Sequence, residues 1–154
     1  GPHRLDSFAR AVSINLIGTF NLLRLAADAM SRQEAGPGGE RGVIVNTASI
    51  AAFDGQIGQA AYAASKAAQI AFVKSMATGL APGIRFNALA PALIEDSTMH
   101  DAMSAERRAH HRAQSPTGRL STKEEIAGVV VDMCGKHWRN LNGQVIRING
   151  GLHV

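Results

Sequence analysis

Apolar residues recur at three- and four-residue intervals between Asp6 and about Ser31, at Phe8, Val12, Leu16, Ile17, Phe20, Leu23 and Ala27. That is the period of an amphipathic helix, so a first helix is predicted there. Residues 34–41 are rich in Gly and Pro and read as a loop. Gly42 to Thr47 follows as a short β-branched run with almost no polar face, the pattern of a strand covered on both sides, as in a parallel sheet. Ala60 to Leu80 is Ala-rich, lacks Gly until Gly79 and stops before Pro82, which predicts a long second helix. Ile84 to Leu89 reads as a second strand. The polar, irregular stretch from Pro91 to Leu120 has helical potential only over Ser104 to Arg112, and its length suggests a lid or binding loop. Ser121, three residues before Glu124, has capping-box spacing and opens a third helix that ends near Gly135; Gln144 to Ile148 is a last strand.

Helices alternating with strands in this way define parallel βαβ units and an α/β fold. Three strands would leave the hydrophobic strand at Gly42 to Thr47 on an open edge, a template for aggregation or pairing, so further sheet is expected upstream. No internal repeat is apparent.

Composition narrows the function. In 154 residues, 45% are hydrophobic and no run approaches a membrane-spanning length. With one cysteine, Cys134, and neither an initiator Met nor a basic flank leading into an apolar stretch, no disulfide framework or secretory signal is visible, and a reducing intracellular compartment is expected. Cys134 itself, beside Val131 and Met133, is expected to be buried and inert. The net charge of +4 is modest, and its one concentration is Arg107, Arg108, His110, His111, Arg112 and Arg119. With aromatics at 5%, the pattern does not fit a nucleic-acid surface. The cluster is either a solvated loop or a loop that meets an anionic substrate. Adjacent His110 and His111 cannot share a helix face, and nothing completes a metal site, so no metal is expected. The Gly36-Pro37-Gly38-Gly39 cluster precedes a strand and follows a helix, the reverse of the order that aims a helix N-terminus at a pyrophosphate.

The stretch from Asn46 to Lys66 carries the chemistry. Ser49 directly follows a predicted buried strand, Tyr62 stands thirteen residues later and Lys66 four further on, one helical turn away on the same face. A phenol with its ordinary pKa of about 10 is a poor acid-base group at neutral pH, but a nearby ammonium stabilises the phenolate. Ser49, at the carboxyl end of a parallel strand where open α/β sheets place ligands, is placed to hold the oxygen whose proton Tyr62 exchanges; it would equally serve as a turn cap. Asn15, between Ile14 and Leu16 in an apolar stretch, is a further candidate.

Asn46-Thr47-Ala48-Ser49, Gln59-Ala60-Ala61-Tyr62-Ala63-Ala64-Ser65-Lys66 and Ile14-Asn15-Leu16-Ile17-Gly18 together resemble the active-site half of the short-chain dehydrogenase/reductase family. The resemblance runs from Leu5 to about Leu152. It implies the C-terminal half of a Rossmann-like, doubly wound parallel sheet, residues 1–154 forming the catalytic part of one domain with a substrate loop at 92–120. The N-terminal dinucleotide-binding half would lie outside the segment. It also implies a catalytic set in which Ser49 orients the substrate oxygen, Tyr62 is the acid-base and Lys66 tunes it and holds the nicotinamide ribose, with Asn15 supporting a water-mediated proton relay. Tyr62, Lys66, Pro91 and Ile94 would touch the cofactor, and Ser49 and Gln59 the substrate. The family's Pro-Gly after the second strand stands here as Pro91-Ala92, and the Thr expected about five residues after that proline is replaced by Asp96.

Gly42 to Gly58 and Gly79 to Pro91 are most similar to the subgroup that oxidises 3-hydroxyacyl-CoA thioesters. The resemblance therefore implies an oxidoreductase that interconverts a secondary alcohol and a ketone with NAD, NADP remaining open. Such an enzyme would self-associate as a dimer or tetramer in the cytoplasm, or in the mitochondrial matrix of a eukaryote. The alternative is a truncated non-catalytic relative acting as an oligomerisation or interaction module through the helices at Asp6 to Ser31 and Ala60 to Leu80.

Overall fold

A computed structural model describes residues 1–152. Three parallel strands, β1 (Gly42–Thr47), β2 (Ile84–Pro91) and β3 (Val145–Ile148), lie in the order β1-β2-β3. The first helical stretch is α1 (Leu5–Val12), a π-helical turn (Ser13–Gly18) and α2 (Thr19–Ser31); it is followed by α3 (Ala60–Leu80), the short α4 (Thr98–Asp101), α5 (Ala105–Gln114) and α6 (Lys123–Cys134). No described helix is long and apolar enough to cross a membrane.

Every residue of the central strand β2 is buried, and its alternation assigns the two faces of the sheet. Ile84, Phe86, Ala88 and Ala90 join Leu23 and Ala27 of α2, Ile44 of β1 and Ile70, Val73 and Ala77 of α3 in one cluster. Phe72 links this layer to the first helix, its ring meeting Phe20 and Phe86 edge-on at 6.2 and 6.4 Å. On the opposite face Arg85 reaches the end of α6, donating to Met133 O at 3.1 Å. The edge strand β1 departs from the expected two-sided burial: Ile44 and Asn46 are buried, whereas Val43 and Val45 are only half-covered.

The first helix also departs from its apolar stripe. Leu23 and Ala27 are buried as expected, but Ile17 is 59% and Phe20 46% exposed. The π-helical turn between α1 and α2 re-phases the face, which a fixed 3.6-residue period cannot anticipate. Cys134 is exposed rather than buried, because the inward line of α6 passes through its neighbour Met133.

The capping box of α6 falls one residue later than the sequence spacing placed it. Thr122 accepts from the Glu125 amide and Glu125 accepts from the Thr122 amide. Arg119 also grips Glu125, Nη2 to Oε1 at 2.7 Å, and this bond, then that of the Thr122 amide, holds the Glu125 carboxyl at about 2 against an ordinary 4.5. A depressed carboxyl stabilises the folded form above its unfolded value and loses that contribution as pH falls through its folded one, here between 4.5 and about 2. Carboxyl NMR should therefore find a Glu125 midpoint near 2 that Arg119→Ala moves up toward the ordinary range. A wild-type midpoint near 4.5 would contradict the geometry.

Candidate active site

β1 and β2 are parallel, so their carboxyl ends emerge side by side. The chain leaves β1 through Ala48, whose amide donates to Leu89 O at 2.7 Å, and turns at Ser49 into a short 3₁₀ turn. The Ser49 hydroxyl caps that turn, accepting from Ala51 N at 3.2 Å. Capping and substrate contact are compatible: the cap uses a lone pair and leaves the hydroxyl proton to be donated. α3 starts at Ala60, placing Tyr62 in its first turn and Lys66 one turn on, with Lys66 Nζ 5.8 Å from the centre of the Tyr62 ring. Lys66 Nζ donates to Thr47 O at 2.7 Å. Burial lowers the Lys66 pKa, and the acceptors it meets, Thr47 O and Gln69 Oε1, are both neutral.

Ser49, Gln59, Tyr62, Lys66, Pro91 and Ile94 all line one cleft of about 670 Å³ at these strand ends. Its far wall comes from residues 92–120, which form α5 where helical potential is expected and the additional single turn α4. Ser97 caps α4 and Ser104 caps α5, each hydroxyl accepting the amide three residues on. Two ties hold the segment down, Glu95 N to Ser121 O at 2.9 Å and Thr117 N to Gly150 O at 3.2 Å, and Arg112 to Glu95 at 2.6 Å braces it internally. Gly150 has φ +61°, and a Cβ there would collide with Ser115 Oγ and Thr117 Oγ1, so glycine permits this close approach. The Pro91-Ala92 step continues the sheet, Ala92 N donating to Ile148 O at 3.0 Å. The residue at Asp96, in place of the expected Thr, is exposed with φ +54°.

The basic cluster splits between ion pairs and the cleft. Arg112 and Arg119 are ion-paired, to Glu95 and Glu125. Arg107, His110 and His111 present to the cleft, as does Arg119. Burial, with the charges of His110 and Arg107 nearby, pushes the His111 imidazole below its ordinary value. Gly36 to Gly39 lie before β1, at the end of the strand away from the cleft.

Asn15 sits in the π-helical turn and reaches the site through its main-chain carbonyl, which accepts from Gln69 Nε2. Gln69 is a residue that sequence reasoning missed: it belongs to no motif, and the only signal was a carboxamide amid Ala68, Ile70 and Ala71. Spacing also passed over Asp96, His100 and Asp101, whose ligand atoms lie within 4.8 Å of one another, with only His100 buried. His100 Nδ1 lies 3.0 Å from Asp101 Oδ1.

A parallel α/β sheet with a Ser, a Tyr and a Lys gathered at its strand ends defines the class. Residues 3–153 match the family profile described as enoyl-(acyl carrier protein) reductase, and the chain belongs to the short-chain dehydrogenase/reductase family. It is 45% identical over 156 residues to the 3-hydroxyacyl-CoA dehydrogenase type-2 of Drosophila melanogaster, a match covering 99% of this chain and 59% of that one. The crystal structure of 3-hydroxyacyl-CoA dehydrogenase type-2 from Mycobacterium avium superposes with a TM-score of 0.92 at 35% identity, over 100% of this chain and 59% of that one. A 3-oxoacyl-[acyl-carrier protein] reductase with bound NAD from Brucella melitensis gives 0.84 at 33% identity, over 99% and 54%. The chain thus spans less than two thirds of the length of each of these relatives.

Proposed function

We propose that, within the whole protein, residues 1–154 are the catalytic half of one short-chain dehydrogenase/reductase domain. Its reaction would interconvert a secondary alcohol and a ketone. The observation that carries this reading is the convergence of Ser49, Tyr62 and Lys66 on a single cleft, with Lys66 Nζ 5.8 Å from the Tyr62 ring centre. In the oxidative direction the Tyr62 phenolate takes the proton of the substrate hydroxyl, while the Ser49 hydroxyl donates to the same oxygen and fixes its position. In reduction Tyr62 returns the proton. Lys66 favours the phenolate by its charge and can donate to ribose hydroxyls, since its present acceptors are neutral oxygens.

The residues fit the nicotinamide end of a dinucleotide. The Lys66 ammonium faces a cleft whose wall carries the apolar Pro91 and Ile94 at a strand end, the position where open α/β sheets bind such ligands. When bound, the cofactor supplies the acceptor or donor of the carbinol hydride. NAD is the nucleotide proposed, with NADP open; the solved relative that holds NAD supports that reading. For substrate, a 3-hydroxyacyl-CoA thioester is favoured, with 92–120 as its binding segment. The 3-hydroxyacyl-CoA dehydrogenase relatives support this, and so does the Arg107 guanidinium on the cleft wall, suited to an anionic carrier. A cytoplasmic or, in a eukaryote, mitochondrial-matrix location goes with that substrate.

Self-association as a dimer or tetramer is supported by the exposed apolar row of Ile14 (61%), Ile17 (59%), Leu22 (68%) and Leu25 (50%). The same row favours the second reading, a non-catalytic interaction module. Full-length protein with 3-hydroxybutyryl-CoA and NAD decides between them. Saturable NADH production is the expected result. No turnover with NAD or NADP, from protein that still binds itself, selects the module.

A further inference from the structure

Gln69 is 1% exposed in the middle of an apolar helix, and burying a carboxamide is unfavourable unless its donors and acceptor are used. They are used. Nε2 donates to the Asn15 carbonyl of the π-helical turn and to Thr19 Oγ1 at 3.2 Å. Oε1 accepts from Asn46 Nδ2 at 3.2 Å and lies 3.4 Å from Lys66 Nζ. The orientation of the amide follows from its partners: a carbonyl only accepts and an ammonium only donates, so Nε2 must face Asn15 and Oε1 must face Lys66. One side chain thereby joins the first helix, β1 and the lysine of the site. Leu or Ile at this position would leave Asn46 Nδ2 without its Gln69 acceptor and Asn15 O without its Gln69 donor, so the carboxamide answers a polar need rather than filling space.

We propose that Gln69 is a positioning residue of this site: its carboxamide braces the π-helical turn at Asn15 against β1 and holds the Lys66 ammonium beside Tyr62. The proposal rests on the dehydrogenase reading for its effect on catalysis. The resemblance implies a water-mediated relay supported by Asn15; the Asn15 carbonyl accepts from the Gln69 amide. An amide donates from one atom and accepts on another, so it orients Lys66 without passing a proton along.

Besides the bond to Thr47 O, which substitution at 69 leaves in place, two effects act on Lys66. Burial disfavours its charged form, and Gln69 Oε1, as an acceptor, opposes that. The titratable groups that share the cleft with Lys66 are Tyr62 on α3, Asp54 before it, Arg107, His110 and His111 on α5, and Arg119 beyond. None of these is altered by substitution at position 69.

The test is the titration of Lys66 in the full-length protein, followed by ¹³Cε NMR and assigned with Lys66→Arg, in wild type, Gln69→Leu and the near-isosteric Gln69→Glu. Lys66 is expected to titrate at lower pH in Gln69→Leu, which removes the acceptor, and at higher pH in Gln69→Glu, which adds a carboxylate. If both variants titrate as wild type does, the proposal is overturned, even where their melting temperature falls, since a purely structural role changes stability alone. Turnover supplies the second readout. The proposal expects kcat to drop about tenfold or more in Gln69→Leu, with the pH profile displaced in opposite directions by the two variants. Should wild type show no dehydrogenase activity, the functional reading fails while the Lys66 titration still decides the role of Gln69.

Discussion

Replacing Tyr62 by Phe is expected to lower kcat of the full-length protein by about 10²- to 10⁴-fold, the range that one positioned acid-base group contributes. The substitution deletes a single hydroxyl. The ring remains in the first turn of α3, and the nearby helical bond from Ser65 Oγ to Tyr62 O, 2.7 Å, uses the main chain and survives. Lys66 keeps Thr47 O and Gln69 Oε1 as its acceptors, so binding of NADH should change little. The result expected is a large fall in kcat with a cofactor Kd near that of wild type and an unchanged melting temperature. Retention of more than about a tenth of kcat would remove Tyr62 from the acid-base role.

Much of this site could be read before any coordinates because its parts are local. Tyr62 and Lys66 are one turn apart on a helix whose ends, Ala60 and Leu80, follow from composition and the following proline. Ser49 lies two residues past a strand whose β-branched run fixes its end, and the cleft at that end follows from parallel pairing. What escaped notice depends on backbone phase or on distant partners. The π-helical turn changes which residues of the first helix face inward and turns the Asn15 carbonyl to accept from Gln69 Nε2. Gln69 lies one turn from Lys66, but its other partners, Asn15, Thr19 and Asn46, lie 54, 50 and 23 residues away in sequence. Ser121 and Thr122 can each begin a capping box, since Glu124 and Glu125 are adjacent, and only the added grip of Arg119 on Glu125 selects the second pair. Of the two serine-capped helices in residues 92–120, α5 agrees with the helical potential over Ser104 to Arg112, whereas the single turn of α4 is too short to leave a periodic signal.

The largest effect on stability is expected at Arg85, which sequence patterning assigns simply to a buried strand. It is 4% exposed on the face of β2 opposite the cluster around Phe86. Nε donates to Glu40 Oε2 at 2.5 Å. Nη1 donates to Met133 O at 3.1 Å and Trp138 O at 3.0 Å, and Nη2 to Met133 O at 3.1 Å. Met133 is in the last turn of α6, whose terminal carbonyls have no partner within the helix and carry its negative pole. The guanidinium therefore closes α6 and the following turn onto the sheet while neutralising Glu40. Arg85→Ala leaves a partly buried carboxylate and several carbonyls without donors at once, a class of change that costs about 3–5 kcal/mol. Lysine cannot reproduce the planar set of donors, so Arg85→Lys should recover only part of the loss. An apolar replacement matched in volume and paired with Glu40→Gln removes the unpaired charge but leaves the Met133 and Trp138 carbonyls without donors, so it should restore only the part of the loss due to Glu40. Urea denaturation with an unchanged slope measures each difference. A loss under about 1 kcal/mol for Arg85→Ala would place the anchor of α6 elsewhere, in the Thr122 and Arg119 grip on Glu125 at its other end.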